Sequence, residues 1–161
     1  MPKSDTEKTK SAFNTRARAP WSKWWVLLLA LCFVGVLLPY VFAQKPTATA
    51  RMGTQTYTLE IAASEPARVH GLSDRQSLDT NKGMLFVFNT ANTQCIWMKD
   101  MHFSLDIIWL DAGKKVVKIE QNVSPETYPE NFCAEDTKYV VELNAGEVKK
   151  NEVSVGTTVK M

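Results

Sequence analysis

The chain has 161 residues, 45% of them hydrophobic and 22% charged, and a formal net charge of +2. That leaves room for one folded domain with a single core plus an appendage. Six of the 19 Lys/Arg lie within residues 1–23, against only Asp5 and Glu7. The remainder is slightly acidic with no compact basic patch, which argues against nucleic acid as a partner.

Residues 1–23 read as a basic, disordered cytoplasmic tail, because they carry charge and few large apolar side chains. Residues 24–43 (WWVLLLALCFVGVLLPYVFA) hold no charge. At a helical rise they span about 30 Å, the thickness of a hydrocarbon core. Trp21, Trp24 and Trp25 mark the basic end and Tyr40 the other, as interfacial aromatics do. The positive flank predicts a single-pass anchor in the cell membrane, with a cytoplasmic N-terminus and an extracytoplasmic remainder. The alternative is a signal peptide cleaved after Ala43, which would release a secreted domain. Residues 44–53 are small and polar and read as a linker.

The exported domain is expected over 54–161. Tyr57, Leu59 and Ile61 alternate with Thr56, Thr58 and Glu60, the pattern of a half-buried strand. Ser64 can cap a short helix that carries Arg68 and His70, Pro66 suits its first turn, and Gly71 can end it. The apolar run 84–88 is too short for a helix and reads as a strand covered on both faces. A polar loop over 89–94 would turn it into a hairpin partner at 95–98. Further strands are expected at 105–110, 115–121, 139–143 and 157–160. A hairpin turn falls at 111–114, a long loop at 122–137, and one or two helical turns at 146–151. Many short strands with turns between them predict a mainly β domain, a sandwich or barrel with one or two short helices.

Cys95 and Cys133 both lie in the segment expected to be exported, where oxidation is permitted. A disulfide between them would tie the long loop to the central strand. Two unpaired thiols or a reactive cysteine are the alternatives, although no C-x-x-C is present.

The motifs RVHGL (68–72), GMLFVF (83–88), WMKD (97–100), LDIIWLD (105–111) and YVVELNAG (139–146) occur in an order that resembles the bacterial and archaeal family known as domain of unknown function 192. The resemblance covers residues 55–160. It implies a compact, jelly-roll-like β domain, often exported, and no accepted activity, cofactor or substrate. Cys95, Cys133 and Asp100 depart from the commonest family pattern, and the two cysteines thereby strengthen the disulfide reading.

Chemistry concentrates in 95–110, where Lys99, Asp100, His102 and Asp106 sit among large apolar side chains. Alternation over 105–110 puts Leu105, Ile107 and Trp109 on one face and Asp106, Ile108 and Leu110 on the other. A carboxylate among aliphatics needs a cation or several N–H donors. Lys99 is the nearest cation in sequence and Arg68 the better fork for two oxygens. An internal salt bridge, or a carboxylate capping a turn, is the architectural alternative. The functional expectation is a pocket for a small polar ligand or envelope polymer, lined by Arg68, Trp97, Met98, Lys99, Asp106 and Glu142. An acid–base enzyme at Asp106 or Glu142 with Lys99, and a purely structural or interaction module, are the other readings. Two histidines without a ligand-pair spacing give no metal motif, and no cofactor fingerprint occurs.

Overall fold

A computed structural model describes residues 45–161. The expected tail and membrane segment lie outside the described residues. Among the described residues no helix is long and apolar enough to cross a membrane.

Six strands and two short helices follow in order: β1 (Thr47–Met52), β2 (Gln55–Ala62), α1 (Glu65–His70), β3 (Lys82–Ile96), β4 (Leu105–Leu110), β5 (Val116–Val123), β6 (Phe132–Asn144) and α2 (Glu147–Lys150). They form one sheet in the order β1-β2-β3-β6-β4-β5. The β2–β3 pair is parallel and the other pairs are antiparallel. A parallel pair needs a crossover, and α1 lies on it. This is an open mixed sheet, so the jelly-roll-like sandwich or barrel is corrected. The alternation of short apolar runs reports strands but not how they pair.

The linker expected at 44–53 is also corrected. Most of it is β1, with Ala50 and Met52 fully buried against β2. Small side chains at alternate positions gave it a weak apolar signal. Gly53 makes the β1–β2 connection by taking a positive φ of 57°, as a two-residue hairpin turn requires. The loop expected at 89–94 lies inside β3, which continues past register shifts between Val87 and Gln94. Its side chains are polar because that part of the strand is exposed on both faces. Likewise the long loop at 122–137 shortens to 124–131, where Ser124 caps a 3-10 turn. The strand expected at 157–160 is reduced to isolated bridges. Around them the segment exchanges backbone hydrogen bonds with Arg51 of β1 and with Lys114 and Val116 at the start of β5.

Both faces of the sheet are covered. One carries Leu59, Leu85, Ile108, Leu110, Val141 and Leu143, packed with Val148 of α2. The other carries Met84, Phe86, Ile107, Trp109 and Val140, with Leu72 from the segment after α1. The facing predicted for 105–110 holds, and all six residues of β4 are buried. Helix α1 begins and ends as expected: the Ser64 hydroxyl accepts from the Ala67 N–H at 3.3 Å, and Gly71 closes it with φ 54°.

Candidate functional site

Asp106 is fully buried, and both of its carboxylate oxygens are engaged by backbone donors. Oδ1 accepts from the Asn122 N–H at 2.9 Å and Oδ2 from the Val148 N–H at 2.8 Å. Asn122 turns its amide inward from a left-handed conformation with φ 54°. Helix α2 has no side-chain cap of its own, so Asp106 satisfies one of its orphan N–H groups from the neighbouring strand. The capping alternative is therefore the one realised, in place of a pairing with Lys99 or Arg68. Met98 is a core residue, and Lys99 is exposed, its carbonyl accepting from the Ser73 hydroxyl at 2.9 Å.

The fold leaves a cavity of about 180 Å³ on the α1 side of the sheet. Leu72, Phe86, Phe88, Ile96 and Met101 make its walls largely apolar. Arg68, Val69 and His70 contribute from α1, and Trp97 from the segment that follows β3. Val69 and Trp97 remain 56% and 41% exposed, which is high for large apolar side chains. Cys95 also lines the cavity.

Glu142 is the buried ionisable group of this cavity. It stands on β6, the strand between β3 and β4, opposite Met84 and Ile107. Only 4% of it is exposed, and its Oε2 has no hydrogen-bond partner. Burial pushes its carboxyl up to about 8, against the opposing pull of Arg75. Arg75 is itself committed, since its guanidinium grips both oxygens of Glu60 at 2.5 and 2.7 Å. That bidentate pair, helped by Lys45, holds the Glu60 carboxyl down at about 2. At neutral pH Glu142 is thus mostly a carboxylic acid, able to donate and to accept one hydrogen bond each.

Arg68 is half-buried and makes no ion pair among the described residues. One terminal nitrogen donates to the carbonyls of Ala63 and Val87, and the guanidinium lies 5.2 Å from the centroid of the Phe88 ring. Its other nitrogens have no partner in the described hydrogen bonds.

Of the residues expected to line a pocket, the structure brings Arg68, Trp97 and Glu142 together and places Met98, Lys99 and Asp106 elsewhere. The apolar walls went unnoticed because their residues also read as ordinary core. Arg75 was missed because nothing local in sequence links it to Glu60. Cys95 and Cys133 form a disulfide, directly opposite one another across β3 and β6 with their Cα atoms 4.0 Å apart. It joins two strands rather than a loop to a strand.

The fold and the cavity define a single-sheet domain with two buried acids, Asp106 saturated by backbone donors and Glu142 bordering the cavity. The profile of the family DUF192, described as "Uncharacterized ACR", matches residues 47–161, and the chain belongs to that family. Two solved structures share the fold. One, from Sinorhizobium meliloti 1021, is named only as a candidate transcription regulator; it is 28% identical, with a TM-score of 0.69 over 73% of this chain and 95% of its own. The other, a protein of unknown function from Novosphingobium aromaticivorans, is 24% identical, with a TM-score of 0.68 over 74% of this chain and 89% of its own. No curated protein matches the chain.

Proposed function

We propose that this protein is a membrane-tethered extracytoplasmic domain that binds a small molecule in the cavity beside α1. Arg68 and Glu142 are its polar contacts and Trp97 its exposed apolar wall. One observation carries the reading: a buried carboxyl oxygen without a partner, bordering an open space. Leaving such an atom unsatisfied costs about 1–3 kcal/mol, so a domain that retains it gains by filling the space with a hydrogen-bonding ligand. Lys99 and Asp106 drop out of the binding set, since one is exposed elsewhere and the other is saturated by backbone N–H groups. The size of the cavity favours a small ligand over a length of polymer. An oxidised Cys95–Cys133 pair supports an extracytoplasmic location, and the uncharged stretch 24–43 supports the tether. An acid–base reading retains one candidate group, Glu142, whose raised pKa suits proton transfer near neutral pH.

The test is a thermal-shift screen of the full chain in mild detergent against neutral, anionic and cationic single-ring compounds. Met101→Trp, which fills the cavity from a half-buried position, serves as the control. Stabilisation that disappears in a folded Met101→Trp protein supports the reading. Stabilisation indifferent to that change, or none from any compound, sinks it.

A further inference from the structure

The cavity is lined by one cation without an ion pair among the described residues and one buried acid without a partner, and that combination selects a ligand. Arg68 belongs to the last turn of α1, is half-buried, and has guanidinium nitrogens without a partner in the described hydrogen bonds. Such a fork matches a carboxylate, which can take two parallel N–H bonds. Glu142 sits on the central strand with an unpartnered, buried Oε2. Most of the remaining lining is carbon, including Leu72, Phe86, Ile96 and Met101. The space of about 180 Å³ is close to that of an engineered cavity of roughly 150 Å³ that accepts benzene.

From this arrangement we infer that the cavity takes a small amphipathic monocarboxylate, of about one ring, carrying a second, uncharged hydroxyl or carbonyl group. The carboxylate pairs with Arg68, the apolar body lies against Phe86 and Ile96, and the uncharged polar atom meets Glu142. A carboxylate seated on Arg68 needs no rearrangement of the Arg75–Glu60 pair. An ammonium in its place would face the guanidinium of Arg68, which has no ion pair among the described residues. Besides Glu142, the acidic residue in the cavity lining is Glu65, an exposed group at the start of α1. This ligand class rests on the small-molecule reading above and narrows it.

The experiment is calorimetric titration of the full chain in mild detergent with benzoate, 3-hydroxybenzoate, 4-hydroxybenzoate, benzyl alcohol and benzylamine. Arg68→Gln, Arg68→Lys and Glu142→Leu are titrated alongside. Glu142→Leu removes the unpartnered oxygen at similar volume, so it keeps the fold. The wild type is expected to bind a hydroxybenzoate about tenfold more tightly than benzoate, and to bind benzoate in preference to benzylamine. Arg68→Gln should weaken every carboxylate about tenfold, and Glu142→Leu should abolish only the preference for the hydroxyl. Should Arg68→Gln fold poorly, Arg68→Lys, which keeps the charge without the fork, is expected to fall between it and the wild type. Benzylamine or benzyl alcohol binding best, with loss in Met101→Trp, overturns the carboxylate assignment and leaves the small-molecule reading standing. Binding of any probe that survives Met101→Trp overturns both, as does a complete absence of binding.

Discussion

Replacing Glu142 by Gln removes one titration and keeps the size and hydrogen-bonding capacity of the side chain, so its effect is legible in the pH dependence of folding. Below about pH 4.5 the carboxyl is protonated in both folded and unfolded chains, and its titration adds nothing to the pH dependence. Between 4.5 and about 8 the unfolded chain releases the proton while burial makes the folded protein keep it. The folded state then binds more protons, and stability falls as pH rises by about 1.4 kcal/mol per unit. By pH 7 the loss is about 3 kcal/mol, and above about 8 both states are ionised and the loss stops growing. The opposite slope belongs to more acidic conditions, where Glu60, held at about 2 by Arg75, loses its contribution as pH drops below its unfolded value. Urea unfolding of both proteins at half-unit steps from pH 4 to 9 reads this directly. The free energies of the wild type and Glu142→Gln should diverge steadily between pH 5 and 8, with the variant relatively more stable at the alkaline end. Two parallel curves across that window would falsify the claim that Glu142 keeps its proton.

Asp106→Asn leaves one backbone N–H of Asn122 or Val148 facing an amide NH₂ and should cost about 3 kcal/mol, seen as a lower urea midpoint at constant slope. Gly83→Ala places a Cβ 2.5 Å from the Glu142 carbonyl and 2.7 Å from the side chains of Leu59 and Leu143. It should destabilise by about 1–3 kcal/mol, with the midpoint of thermal unfolding as the measure. Reducing the disulfide, which closes a separation of 38 residues, should cost about 4 kcal/mol on chain-entropy grounds. Paired unfolding curves with and without a reductant test that, and identical curves would refute it.

The parts of this fold that were legible in sequence are those fixed by local chemistry. The Ser64 cap, Pro66 and Gly71 delimit α1 within six residues, and alternation assigns each residue of β4 to its face. Pairing was not legible. Neither the parallel contact of β2 with β3 nor the central place of β6 leaves any periodic mark, since both are decided by residues far apart in the chain. Polarity misled where it reported solvent rather than conformation, as in the exposed part of β3. At Asp106 a cap was one of the open readings, but which backbone donors hold its carboxylate is invisible to any search for a countercharge in the sequence. Glu142 could be singled out as a carboxylate on an apolar alternating strand, but that it lacks a partner is a property of the assembled sheet.

The bridges made by residues 156–160 have a consequence for the two edges of the sheet. This segment hydrogen-bonds to Arg51 beside one edge of the sheet and to Lys114 and Val116 beside the other, and it lies later in the chain than all six strands. β1 and β5 are the edge strands, and until this segment docks, Arg51 and Val116 keep outward backbone groups unpaired. An exposed strand edge is a template for a neighbouring chain. A chain cut before residue 156 should therefore associate with copies of itself more readily than the full chain does, through these same positions.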